Sequence, residues 1–447
     1  MKQKINPKIC KRNMKLFPLY RALSLDFLFF YTTSFLFLTQ IKHISPSAVV
    51  LEDSFYAVFV ILFQIPAALA VDFLGRRKGM ILGNLCNAIY ITLILFSNNL
   101  FELIFAEMFS ALAFSLKDVS DLSLLNSSIP PTTQKSKIFA KITGKGISGY
   151  FILNSLSLII SGILFTINGY LPLLISLTII LLSLLLSTLF LEPVETKPED
   201  EAKQLKKYKK KALKDLRNSL ENFKDSFKFI IKSPRLRSLI FFSSIMYSFI
   251  CVLSSYQISL LEELNVSPAI IGIIFATLGM LSAASSKKQD KFHTKFRNKS
   301  LALLGFGASL SCLISGFAGY ISSNIYITVS IIIFGFTLKH LVVGIYQVLI
   351  DKYYRNFTNH KIDSKIFSAK AFFNSIFTAL MGIIAAILLE ITSTKNALII
   401  LGLLFLVLFN FAILYMRKRI GLKPSEYSKE ELKFSDIISP NNINLLK

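Results

Sequence analysis

Asp26, Glu107, Lys117, Asp118 and Asp121 are ionisable residues set inside long apolar runs. An ionisable group in hydrocarbon costs several kcal/mol unless it meets a partner or a water-filled cavity, so each is a candidate for binding or proton transfer. Asp26 lies ten residues into the first apolar run, about 15 Å at the helical rise and so near a bilayer midplane. A carboxyl group there can take up and release a proton as its access to water alternates. Arg21, five residues earlier, is its nearest cationic neighbour in sequence; the rival reading of Asp26 is a static buried pair with Arg21 or Lys117. Lys117 and Asp121 are four residues apart and share a helical face, as an ion pair would. His340 adds a group whose ordinary titration falls near neutrality, although a lone histidine is more often simply hydrogen-bonded. Lys145, Lys339 and Lys370 are further bases within or at the ends of apolar runs. No Walker loop, paired His/Cys spacing or Gly-x-Ser-x-Gly is present, so neither ATP use nor hydrolysis is indicated and no metal or cofactor is expected.

The elements that carry these residues are apolar and long. The 447 residues are 53% hydrophobic and 17% charged, with mean hydropathy +0.58; a soluble globule carries about 25% charged residues. A helix crosses the ~30 Å hydrocarbon core in about 20 residues. Runs of that length occur twelve times: Leu16–Thr39, Ser47–Val71, Gly79–Ser97, Leu100–Ile129, Ile138–Ile167, Leu171–Leu191, Leu236–Leu260, Ala269–Ser286, Leu301–Ser322, Ile325–Ile350, Phe367–Leu389 and Ala397–Met416. The expected fold is therefore an all-α membrane protein of twelve spans. Formal charge is +24, but Lys and Arg gather in the segments between alternate runs and no basic fold motif accompanies them, which argues against nucleic acid. Positive short loops stay cytoplasmic, so both termini are placed inside a multi-pass protein of the plasma (inner) membrane. The four cysteines are far apart and suggest buried small side chains. No small-residue cleavage site follows the basic N-terminus, so no removable signal peptide is read.

The longest connection divides the runs six and six, giving an N-terminal half over 1–193, a middle loop over 194–235, a C-terminal half over 236–417 and a cytoplasmic tail over 418–447. Within the loop, Leu205, Tyr208, Leu213, Leu216, Leu220, Phe223, Phe227 and Ile230 recur at helical steps amid lysines. That pattern predicts a basic amphipathic helix over 203–232, a solvated linker or a surface for anionic lipid. Short matches relate the halves. Ile44-Ser45-Pro46 corresponds to Val266-Ser267-Pro268, Asn154-Ser155 to Asn374-Ser375, and Ser136-Lys137-Ile138-Phe139 to Ser364-Lys365-Ile366-Phe367. The offsets are all about 220 to 230 residues, as a duplicated six-helix unit would give.

Between the second and third runs stands Ala68, then Asp72-Phe-Leu-Gly75-Arg76-Arg77-Lys78. Two six-helix halves, a long middle loop and this charged turn resemble the major facilitator superfamily of secondary transporters, whose loop signature begins with Gly where this chain has Ala68. The resemblance implies two pseudo-symmetric six-helix bundles around a central cavity. It assigns Asp72, Gly75, Arg76 and Arg77 to a gate that holds the cytoplasmic side closed, with Lys117, Asp118 and Asp121 near it. It also places Tyr31, Asn154 and Asn374 on helices that line the cavity. The family's acidic position at the end of the fourth span is Asn126 here. Gly144-Lys145-Gly146-Ile147-Ser148-Gly149 lacks the proline of the drug-antiporter signature. The function expected is alternating-access transport of a small molecule by a monomer, with proton-coupled efflux of an amphiphile first. Nutrient uptake by proton symport is second, and a transport-inactive membrane sensor or scaffold is the reading from another class.

Overall fold

A computed structural model describes residues 7–31, 33–130, 135–192, 233–321, 324–357 and 363–417. The amphipathic helix expected over 203–232 and the tail after Arg417 lie outside the described residues. All regular structure among the described residues is helical. The first half contains α1 (Pro7–Ser24), α2 (Ser34–Leu36) running into a π-helical turn (Phe37–Ile41), α3 (Pro46–Leu74), α4 (Arg76–Phe96), α5 (Leu100–Ser128), α6 (Lys135–Ile167) and α7 (Leu171–Thr188). The second half contains α8 (Pro234–Glu263), α9 (Pro268–Ser286), the short α10 (Gln289–Phe296), α11 (Ser300–Ile321), α12 (Ile325–Phe357), α13 (Asp363–Ile391) and α14 (Thr394–Arg417).

Helix starts follow local chemistry. Ser45 caps α3 by accepting from the Ala48 N–H at 3.3 Å, with Pro46 in the first turn where no N–H is needed. Asn99 caps α5 through the Glu102 N–H at 3.0 Å, and the Glu102 carboxylate returns to the Asn98 N–H at 2.7 Å. This reciprocal arrangement satisfies donors that the first turn leaves open. The α3–α4 connection is the single residue Gly75 at φ 92°, ψ 157°, a region that residues with a Cβ rarely enter.

Ten helices among the described residues are long and apolar enough to cross a membrane. The two other runs of the twelve are the ones that carry the chemistry. α5 is long enough but holds Glu102, Glu107, Lys117, Asp118 and Asp121. The first run, expected as one helix over Leu16–Thr39, is broken instead: α1 ends at Ser24, the chain turns through Asp26 with Phe29 at φ 70°, and helix resumes at Ser34. No proline or glycine lies between Ser24 and Ser34. Side-chain bonding to the freed backbone compensates the break, as described below.

By contacts the chain divides into two compact units, Met1–Leu220 with Ser267–Ile273, and Glu221–Val266 with Ile274–Lys447. Within the first half, α1 packs on α6 and α7, and α4 on α5 and α7; within the second, α8 packs on α13 and α14, and α11 on α12 and α14. Counted by span these are the same pairs in each half: first with fifth and sixth, third with fourth and sixth. Large apolar side chains such as Leu185, Ile167, Phe334 and Val407 remain exposed, as faces bathed by acyl chains require.

Candidate functional site

The first unit buries a charged cluster where α1, α4, α5 and α6 meet. Its centre is Asp121 of α5, fully buried, which accepts from Tyr20 Oη at 3.1 Å and from Arg21 Nη1 at 3.2 Å. Asn84 Nδ2 of α4 donates to the Tyr20 hydroxyl at 3.0 Å, fixing which way that hydroxyl donates. Lys117, one turn before Asp121 and also buried, donates to the carbonyl oxygen of Ser24, the last residue of α1. The lysine thus takes up a carbonyl that the broken helix leaves without an intrahelical donor. Asp26 accepts from its neighbour's N–H, Phe27 N, at 2.8 Å and from Tyr150 Oη of α6 at 3.1 Å, and is electrostatically coupled to Lys117. A carboxylate bonded to the backbone in this way competes with helical bonding and stabilises the break. Two cations and two carboxylates make the cluster neutral as a whole. Beside it, Phe17, Tyr20, Met80, Leu124, Leu125, Ile129 and Phe190 form a buried apolar layer.

Close approach of α4 to α5 depends on Gly83, where a Cβ would lie 2.6 Å from Lys117 Cγ and 3.1 Å from the Ala113 carbonyl oxygen. Nearer the first residues of α3 and α5, a second acidic feature is built. Glu52 and Glu107, both buried, lie beside one another, with Tyr90 of α4 and Ser110 next to Glu107. Asp53 is the exposed acid beside it.

At the single-residue turn, Glu192 Oε1 accepts from the Arg77 backbone N–H at 2.8 Å, and the Arg77 guanidinium donates to the Thr188 carbonyl at 2.9 Å. Arg77 thereby ties the start of α4 to the end of α7. Asp72 is exposed and Arg76 partly so.

The second unit has a different polar set. Lys339 of α12, 3% exposed, donates to Gln257 Oε1 at 2.9 Å and to Ser254 Oγ at 3.3 Å, both on α8. Asn374 of α13 accepts from Ser244 Oγ of α8 at 3.0 Å. The Ser282 hydroxyl donates to the His340 carbonyl at 2.8 Å, and its oxygen lies 3.2 Å from His340 Nδ1. With the hydroxyl hydrogen spent on the carbonyl, the ring donates through Nδ1. His340 Nε2 is buried without a hydrogen-bond partner.

Of the residues expected from sequence, Arg21, Asp26, Lys117 and Asp121 are brought into one cluster, with Arg21 pairing Asp121 rather than Asp26. Glu107 sits apart with Glu52, and Asp118 points away from the cluster and is exposed. Tyr31 is 60% exposed in the unwound stretch and is coupled to Tyr150; Asn154 is half-buried on α6. Asn374 and His340 belong to the second unit. Sequence reasoning does not single out Glu52, Tyr90, Tyr150, Asn84, Glu192 or Gln257. Glu52 carries an available signal, a carboxylate five residues into an apolar run. The others are ordinary span or loop residues until packing gives them partners.

The family model of the Major Facilitator Superfamily matches residues 20–362. No curated protein matches the sequence. Solved structures that resemble the chain include the nucleoside transporter NupG, at 13% identity and TM-score 0.65, covering 92% of this chain and 99% of that one. A D-xylose-proton symporter is similar at 12% identity and TM-score 0.62, with 93% and 97% covered. A POT family transporter in complex with 5-aminolevulinic acid is similar at 15% identity and TM-score 0.60, with 92% and 96% covered. At such identities the likeness is one of fold.

Proposed function

As a member of the major facilitator superfamily, to which it belongs by the match over residues 20–362, the chain is a multi-pass membrane transporter and not an enzyme, and we propose that it moves an amphiphilic small molecule outward across the plasma membrane in exchange for protons. Both termini are assigned to the cytoplasm on the distribution of Lys and Arg. The observation that carries the reading is Asp26, a carboxylate in the unwound stretch of the first span. It is held by one backbone N–H and by the removable hydroxyl of Tyr150. Unwound backbone at membrane depth is tolerated where it lines a cavity, and substrate sites in secondary transporters form at such breaks. Protonation of Asp26 removes its attraction for Lys117, which in turn bonds to the carbonyl at the end of α1. A proton at Asp26 is thereby linked to the geometry of the break.

Outward transport of an amphiphile is favoured by a composition with 41 phenylalanines in the chain and by spans with few of the polar groups that bind sugars. The test is transport of cationic, neutral and anionic fluorescent amphiphiles in reconstituted vesicles under an imposed pH gradient. Asp26→Asn is expected to abolish gradient-driven movement while the protein still folds. Transport with unaltered pH dependence in that variant would remove Asp26 from the mechanism. The same vesicles loaded on the opposite side measure uptake, the competing direction.

A further inference from the structure

Lys339 differs from the clustered cations of the first unit. Lys117 and Arg21 have Asp26 and Asp121 beside them, whereas no carboxylate among the described residues lies within ion-pair distance of Lys339. Its partners are two neutral acceptors on one face of α8, one turn apart: Gln257 Oε1 and Ser254 Oγ. The Ser254 hydroxyl hydrogen is spent on the Ile250 carbonyl at 2.8 Å, so Ser254 offers only lone pairs. The Gln257 amide has its oxygen on the ammonium, so its NH2 group is not spent on Lys339. That Nε2 is buried, on a side chain 0% exposed, and has no hydrogen-bond partner. The other titratable groups that reach Lys339 are Cys251 and His340, and neither supplies a negative charge comparable to a carboxylate. An ammonium with one N–H to spare thus stands beside an amide with unused donors, in a setting where both are costly without an acceptor.

We propose that Lys339 and Gln257 bind the carboxylate of an amphiphilic organic anion, the ammonium taking one oxygen and the Gln257 NH2 the other. This rests on the transport reading and names the substrate class within it. One cation with one amide matches a singly charged, two-oxygen group; a phosphate ester, with more charge and a third oxygen, would call for a second cation. Leu253 of α8 and Phe336 of α12, one turn from Gln257 and Lys339, are buried and apolar, suiting a ligand whose remainder is hydrocarbon.

The test uses the full-length chain in lipid nanodiscs, with octanoate as the probe and octanol as the uncharged control of the same length. Thermal unfolding and a binding isotherm are read for each. Octanoate is expected to stabilise the wild-type chain and octanol not to. Lys339→Met should weaken octanoate about 10- to 150-fold, the range that corresponds to losing one charge-assisted hydrogen bond. Gln257→Glu is the decisive variant, because it gives Lys339 a carboxylate of its own. That chain should unfold at a higher temperature than wild type and no longer respond to octanoate. Octanol acting as well as octanoate, or octanoate still stabilising Gln257→Glu, would overturn the proposal. Binding is measured without flux, so Lys339-dependent octanoate binding in a chain that transports nothing would count against the transport reading alone. Dye transport without Lys339-dependent binding would count against this one.

Discussion

Replacing Asp121 by Asn is expected to be among the most damaging single-atom changes in the first unit. The carboxylate is fully buried, 3.2 Å from the Arg21 guanidinium and electrostatically coupled to Lys117. An amide at this position would keep the shape and one acceptor but leave two cations facing Asp26 as the remaining anion of the cluster. Removing one partner from a buried pair costs about 3–5 kcal/mol, because the surviving charge stays desolvated. At 1.36 kcal/mol per factor of ten, that is about two to four orders of magnitude in the folding equilibrium. The molecule contains its own control. Lys370 and Asp351 also pair, at 3.4 Å, but the Asp351 side chain is 53% exposed, and Asp351→Asn should cost less than about 1 kcal/mol. Reversible unfolding in mixed micelles of increasing denaturing detergent measures both variants on one scale. The double variant Arg21→Met/Asp121→Leu sharpens the comparison, since removing both charges together should recover much of the loss. A cost for Asp121→Asn no larger than that of Asp351→Asn would refute the account of the cluster. So would a double variant as unstable as the two single losses added.

Two further substitutions probe close approach and backbone strain. Gly83→Ala places a methyl 2.6 Å from Lys117 Cγ, near the root of that side chain, and 3.1 Å from backbone, so α4 and α5 must part; the expected loss is about 1–3 kcal/mol by the same unfolding assay. Gly75→Ala forces a Cβ into a conformation suited to glycine, φ 92° and ψ 157°, and sets it 3.2 Å from Glu192 Oε1. A loss of about 1–3 kcal/mol is expected, whereas a neutral result would mean that the turn relaxes to another geometry.

Much of the architecture is legible in the sequence because a bilayer imposes a coarse rule. Apolar runs of about 20 residues must become helices, and the runs from Ser47 onward appear as helices at close to the expected places. The repeat visible in Asn154-Ser155 and Asn374-Ser375 has a counterpart in the equivalent packing pairs of the two halves. Even Gly75 is readable as a tight turn from its position between charges. The first run departs from expectation for a definite reason. Hydropathy sees Leu16–Thr39 as uninterrupted, but it carries no information on whether the carbonyl of Ser24 will find Lys117 or the Asp26 carboxylate will find Tyr150. Those partners lie 93 and 124 residues away in the chain. Spacing sets Lys117 and Asp121 on one face of α5, and the structure adds Arg21, 100 residues distant, as a hydrogen-bonded ion-pair partner of Asp121. Local periodicity ranks neighbours on one helix; it does not weigh them against groups that another helix delivers.

The sequence by itself determined a helical membrane protein in two related halves, with charges in the first and fourth runs and a glycine turn between the second and third. These follow from composition and from distances along the chain, which the bilayer's thickness and dielectric convert directly into structure. Tertiary structure decided which charges compensate one another, that Glu52 lies beside Glu107, and that no carboxylate among the described residues pairs with Lys339. Electrostatic partnership depends on separations of a few ångströms between residues far apart in sequence, and only the packing of α1, α4, α5 and α6, or of α8 against α12, sets those separations.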